Sequence, residues 1–241
     1  MKNLVPLLTL AVALPVGAST IATDDFESNS LSGGSGWSGS WSTNNSYLNG
    51  SSKVDGSYAL GLYGENSTAT RDVSPSLTTA GALVSFSWSL RADWDAVASG
   101  QIGVNLRESN GDTLATFKFV SGSSNLLVND GGGDFGISQV SFGQGSIFDF
   151  TFSSEVGTNT YSFSATKRGT SETFSASNYT FSSRTNDGIG GIQFFVTAPS
   201  GSGNDGFIDS VSVSAVPEPT SFLAGLTLYL GLASRRRGGS R

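Results

Sequence analysis

From Val84 the chain alternates apolar and polar residues without a break. Val84, Phe86, Trp88 and Leu90 fall on one side, and Ser85, Ser87, Ser89 and Arg91 on the other. Successive side chains of an extended chain point to opposite faces, so this stretch predicts a strand with one face in a core and one face polar. Ile102, Val104 and Leu106 repeat the pattern, Ser109-Asn110-Gly111-Asp112 is a turn signal, and Ala115, Phe117 and Phe119 return it, which predicts a hairpin. A short apolar run, Leu126, Leu127 and Val128, enters a loop at 129–134 with three consecutive glycines. Further strands are predicted at Phe148/Phe150/Phe152, at Tyr161/Phe163/Ala165, at 173–176, at Ile192/Phe194/Val196 and at 207–213. Between the two ends no segment has a helical period. About ten short strands separated by Gly, Asn and Ser turns predict an all-β fold, either a sandwich or a barrel, and the antiparallel β-sandwich is favoured.

Composition agrees with strands and removes several chemistries. Of 241 residues, 43 are Ser and 32 Gly, while charged residues make up only 13%, so the outer faces of the strands are covered by hydroxyls rather than by charge. There is no His and no Cys. That excludes Ser-His-Asp and Cys-His nucleophile systems, zinc sites of the usual ligands and a disulfide framework, and leaves carboxylates, hydroxyls, Lys or a borrowed cofactor for any catalysis. A net charge of −6 argues against nucleic acid as a partner, because phosphate binding needs clustered Lys and Arg.

The two ends read as addresses. Residues 1–18 have the form of a secretory signal peptide: Lys2 is the positive start, 4–16 an uncharged apolar run, and Val16-Gly17-Ala18 a small-residue cleavage site, with a second cut possible after Ala22. This implies a signal helix, passage through the secretion machinery and removal by signal peptidase; the alternative is a first buried helix of the domain, which Pro6 and Pro15 would break. At the other end, residues 216–241, Pro217-Glu218-Pro219 precedes an apolar segment at 221–233 and the cluster Arg235, Arg236 and Arg237. Two prolines hold Glu218 in an extended segment open to an enzyme, and a helix can start just after Pro219. The helix is shorter than the ~20 residues of a comfortable membrane span, which the arginines offset by snorkelling.

This three-part order closely resembles the PEP-CTERM sorting signal, in which Pro-Glu-Pro, a short transmembrane helix and an Arg cluster occupy the extreme C-terminus. The resemblance covers only the tail and implies recognition by an exosortase, a membrane-embedded transpeptidase-like enzyme of Gram-negative bacteria that make exopolysaccharide. It implies transient residence at the inner membrane, then a place at the cell surface or in the extracellular matrix. The residues after the arginines run further than a minimal signal, and a plain stop-transfer anchor is the alternative.

Residues 19–215 form the ectodomain between these addresses. The opening Asp24-Asp25-Phe26-Glu27, the stretch 157–166 and the closing 206–213 resemble concanavalin-like and laminin-G-like jelly rolls, which implies that the first and last strands lie side by side. Jelly rolls of this type place carboxylates from those strands together, and Ca²⁺ takes six to eight oxygens, so Asp25, Glu27 and Asp209 are candidate ligands for a structural Ca²⁺, with Asp24 and Asp205 as supplements. Asp209 shares the parity of Phe207, Val211 and Val213; in a regular strand it would face the core, where an unpaired carboxylate is costly, so it needs a partner, a strand end or a bulge.

Trp37, Trp41 and Tyr47 lie in the Gly-, Ser- and Asn-rich stretch 28–57. Exposed rings there would stack on sugars; buried, they would plug the end of the sandwich. Asp93 and Asp95 flank Trp94 and, in a strand, share a face, which makes them candidates for sugar binding or for the carboxylate pair of a glycosidase. No Glu-x-Asp-x-Glu strand of the sandwich glycosidases occurs, and Asp93 has Arg91 as a ready partner. The expectation is therefore a non-enzymatic, exported carbohydrate-binding or structural module associated with exopolysaccharide, with a secreted carbohydrate-active hydrolase as the alternative. Without the addresses the domain keeps eight basic against 18 acidic residues, a net charge of −10. A cation then suits it better than a polyanion.

Overall fold

A computed structural model describes residues 18–51, 54–93, 100–121, 123–182, 184–197 and 205–216. The signal and sorting segments fall outside them, apart from Ala18 and Val216. None of the described residues is helical, and no helix among them is long and apolar enough to cross a membrane.

The strands run β1 (Ser19–Asp24), β2 (Ser42–Asn44), β3 (Ser46–Asn49), β4 (Ala59–Tyr63) and β5 (Ser67–Leu77). Then come β6 (Leu83–Asp93), β7 (Gln101–Glu108), β8 (Thr113–Val120), β9 (Asn125–Asn129) and β10 (Asp134–Ser141). The last are β11 (Ser146–Glu155), β12 (Thr160–Lys167), β13 (Thr173–Thr180), β14 (Ile189–Thr197) and β15 (Asp205–Val216). They form two antiparallel sheets packed face to face. One has the order β13-β12-β11-β6-β15-β4-β3 with β1 also beside β15, and the other β10-β9-β8-β7-β14-β5-β2. Among the described residues both sheets and the core lie within 19–216.

The alternation at β6 does what its period implies. Val84, Phe86, Trp88 and Leu90 are buried, and their register neighbours on β11 are Phe152, Phe150 and Phe148 opposite Phe86, Trp88 and Leu90. The second sheet meets them with Phe117 and Phe119: ring centroids are 5.9 Å apart for Trp88 and Phe117, and 4.7 Å for Phe119 and Phe148. Fully burying an aliphatic or aromatic side chain contributes roughly 1.5–3 kcal/mol, so this aromatic layer dominates the adhesion between the sheets.

The first and last strands are adjacent, as the jelly-roll resemblance implies: Val211–Ala215 pair with β1 and Asp205–Ile208 with β4. At the changeover β15 carries a bulge. Asp209 lies opposite Ser89 and Ser212 opposite Ser87, so Ser210 and Val211 together face Trp88, and Ser210 has a φ of 52°. The extra residue reverses the parity expected of a regular strand. Ile208, Val211 and Val213 join the core between the sheets, whereas Phe207 turns outward into a second apolar cluster with Val54 and Ala59, flanked by Tyr63 and Ile147. Asp209 therefore leaves the inter-sheet core and lies on the outer face, buried beneath the 54–58 loop.

Candidate functional site

Trp41 is core. It is 3% exposed, packs against Phe26 and Phe194, and donates its indole N–H to Asp24 Oδ2 at 2.9 Å. Asp24 also accepts from the Phe26 backbone N–H at 3.0 Å and pairs with Arg71, a side chain that β5 points inward. Burial lowers the pKa of the Arg71 guanidinium, and the Asp24 charge opposes that shift. Trp37 is half-buried against Trp41 and beneath Arg71, with its N–H donated to the Thr23 carbonyl at 2.9 Å. The expectation that Trp41 contacts sugar is corrected: its ring is enclosed and its polar atom is spent on an ion pair that closes the end of the sandwich. Of the three aromatics in this stretch, Tyr47 is the exposed one, at 54%.

The carboxylates proposed for Ca²⁺ each take their own hydrogen-bond partners. Asp25 is exposed, its Oδ1 accepting the Glu27 backbone N–H at 3.2 Å. Glu27 reaches the 54–58 loop, where its Oε1 accepts from the Ser57 and Tyr58 backbone at 2.7 and 3.0 Å. Asp209 accepts from the Asp55 backbone N–H at 3.0 Å and from its neighbour Ser210 at 2.7 Å. Among the described residues no three such side chains gather in an arrangement that would hold a metal ion. The supplements lie elsewhere, Asp24 on Arg71 and Asp205 opposite Asp93. Glu27 and Asp209 work as clamps on the 54–58 loop. Burial pushes the Asp209 pKa up to about 6, with the Asp55 and Glu27 charges adding to it and the two backbone N–H groups opposing. Arg168 completes the clamp by gripping Asp55 through two nitrogens at 2.8 and 2.9 Å and Asp149 at 2.6 Å.

Asp93 pairs with Arg91 at 2.9 Å. Its cross-strand neighbour is Asp205, whose pKa burial raises and the Asp93 charge raises further. Asp95, the other member of the expected pair, lies outside the described residues.

The outer face of the seven-stranded sheet holds a constellation that the sequence does not single out. A single transverse row crosses all seven strands: Asp134, Asn129, Thr116, Asn105, Gln193, Thr70 and Ser42 are successive register partners. Its middle is a directed hydrogen-bond chain. Thr116 Oγ1 donates to Asn105 Oδ1 at 2.7 Å, Asn105 Nδ2 to Gln193 Oε1 at 2.9 Å, and Gln193 Nε2 to Thr70 Oγ1 at 3.1 Å. Each link fixes an amide rotamer, and each NH₂ spends one of its two N–H groups in the chain, so a second donor remains to offer a ligand.

On one side of the row Arg107 and Asp72 form a 2.9 Å ion pair across Gly191, where a Cβ would come within 2.7 Å of the Asp72 carboxylate. On the other side Phe195, half-buried and on the same face as Gln193, lies opposite Gly103. A groove of about 460 Å³ opens beside the Gln193, Thr70 and Ser42 end of the row, lined also by Arg107 and Thr113. It meets a neighbouring cavity of about 420 Å³ at Asp72, Arg107 and Gly111. Oriented amides and hydroxyls, one ion pair and one apolar ring give an arrangement that can hydrogen-bond an uncharged polyol and receive its apolar side.

No family model and no curated protein sequence matches the chain. Among solved structures it is similar to winged bean acidic lectin complexed with methyl-alpha-D-galactose, with a TM-score of 0.55 and 10% identity over 83% of this chain and 99% of that one. It is similar also to arcelin-5, a lectin-like defence protein from Phaseolus vulgaris, with a TM-score of 0.54 and 8% identity over 83% and 99% of the chains. A carbohydrate esterase from the Shiga toxin-encoding bacteriophage phi24B gives a TM-score of 0.53 and 13% identity over 83% and 100%. The likeness is one of fold. It places the two sheets among lectin-like jelly rolls.

Proposed function

We propose that the domain is a carbohydrate-binding module whose ligand lies along the outer face of the seven-stranded sheet. The observation that carries this reading is the hydrogen-bonded row Thr116-Asn105-Gln193-Thr70 beside its groove. Pre-oriented neutral donors and acceptors suit sugar hydroxyls, and Phe195 offers a flat apolar surface to the C–H face of a pyranose. Lectins of the same fold, one of them complexed with a galactoside, support a sugar as the ligand class. The reading is of binding without catalysis, because the one described member of the expected carboxylate pair, Asp93, is engaged by Arg91. The ends supply the address: residues 1–18 export the chain, and the Pro217-Glu218-Pro219 tail hands it to an exosortase for release at a surface rich in exopolysaccharide.

Affinity electrophoresis of the 19–216 domain through gels containing dextran, glucomannan, hydroxyethylcellulose or alginate tests the binding. Retardation by at least one neutral polymer is expected, with Gln193→Ala or Asn105→Ala lowering the affinity about tenfold by stranding the partner amide. Asp93→Asn is expected to leave retardation unchanged. Retardation as strong in both amide variants as in the wild type would contradict the assignment of this face. Turnover of a bound polymer that Asp93→Asn abolishes would favour the hydrolase reading.

A further inference from the structure

The opposite face of the sandwich carries an aromatic surface that the row described above does not use. Tyr47 lies on β3, the edge strand of the larger sheet, and Leu48 beside it packs toward the core, so the Tyr47 ring is on the outer face. Tyr47 stacks on Tyr63 with centroids 4.1 Å apart and planes 12° from parallel, yet remains 54% exposed. The stack is held in place from below and from the side. Tyr63 meets buried Phe207 edge-on at 5.9 Å, and its hydroxyl accepts a hydrogen bond from Asn49 Nδ2. Gly61, the register partner of Tyr47, makes room: a Cβ there would lie 2.4 Å from the Tyr63 hydroxyl oxygen. Burial pushes the Tyr63 pKa up to about 12, so its phenol is neutral at every physiological pH.

An exposed tyrosine ordinarily gains nothing from a fixed ring plane, whereas a ring locked in advance loses little entropy when a flat partner lands on it. We infer that the Tyr47–Tyr63 stack is a second glycan-binding site, a stacking platform for the C–H face of a neutral pyranose, which makes the domain bivalent. The partner's neutrality follows from the domain's charge of −10, which repels polyanions. The two sites lie on sheet faces that look away from each other, so a straight polysaccharide chain resting on one cannot rest on the other. Bivalency therefore means that one molecule joins two chains. The inference depends on the sugar-binding reading of the first site.

Static light scattering of the 19–216 domain mixed with long-chain glucomannan, dextran or hydroxyethylcellulose tests it, in parallel with gel retardation by the same polymer. The wild type is expected to raise scattering with a maximum at an intermediate protein-to-polymer ratio, the signature of cross-linking. Tyr47→Ala is expected to abolish that maximum and to weaken apparent affinity at least about tenfold through lost avidity, while keeping a residual retardation that Gln193→Ala then removes. Tyr47→Phe, which keeps the ring, is expected to behave as wild type. A wild type that is retarded but never cross-links, or a Tyr47→Ala protein that cross-links as well as wild type, would overturn the second site and leave the first standing. Absence of retardation by any of these polymers would overturn the sugar-binding reading and the second site with it.

Discussion

Asp24 stands where the Trp41 indole N–H, the Phe26 amide and the Arg71 guanidinium converge, and both charged side chains are almost fully enclosed. Removing one partner of such a pair leaves the other charge buried alone. Asp24→Ala is expected to lower the unfolding free energy by about 3–5 kcal/mol, and the double substitution Asp24→Leu with Arg71→Met by much less, which urea denaturation reads directly. Asp209 tests the clamp on the 54–58 loop through pH. Its folded-state pKa of about 6 is raised above the ordinary carboxylate value, so its stabilising contribution is full below pH ~3.8 and disappears as pH rises through 6. Wild type is therefore expected to lose on the order of 1–3 kcal/mol relative to Asp209→Asn between pH 4 and pH 7, measured as the difference between two denaturation series. A parallel pair of series would contradict this account of Asp209.

At the scale of elements the bulge in β15 decides where the carboxylate goes. Ser210 holds a left-handed backbone conformation with φ at 52°, which costs a non-glycine residue roughly 1–2 kcal/mol. Ser210→Gly is expected to stabilise the domain by about 0.5–1 kcal/mol and Ser210→Val to destabilise it by more than 1 kcal/mol, in melting experiments.

The same bulge marks the limit of what the sequence discloses. The alternating stretches at β6, β7, β8, β11, β12 and β14 are legible because their inward positions are large and apolar. β5 is not, because Ser67, Ala69 and Arg71 are among its inward residues, and Arg71 becomes admissible only through Asp24, 47 residues away. Parity counting puts Asp209 toward the core and so demands a partner, a strand end or a bulge; the bulge is the one present, although nothing in composition marks which of the three it is. The candidate binding row was half legible. Thr70, Asn105, Thr116 and Gln193 all occupy polar positions of their strands, but nothing in a sequence says that these four strands are neighbours in register. Trp37 and Trp41 stand out as aromatics in a polar stretch, whereas the buried Asp24–Arg71 pair that fixes one of them is not legible without the sheet order.

In the whole molecule a two-sheet jelly-roll sandwich carries a polar row on the outer face of one sheet and a tyrosine stack on the outer face of the other, and its two ends are proposed to deliver and release it. Processing of those ends is expected to show in the intact mass of the mature envelope protein, which should lack both residues 1–18 and Arg235–Arg237; a mass that retains the arginines would speak for a plain anchor. The central claim concerns the seven-stranded face, and its most direct measurement is an NMR titration of the ¹⁵N-labelled 19–216 domain with short oligosaccharides of a polymer that retards it. The side-chain NH₂ resonances of Asn105 and Gln193 should shift and saturate together with backbone amides of β7 and β14. Saturable binding that leaves both side-chain amides unmoved would contradict the claim.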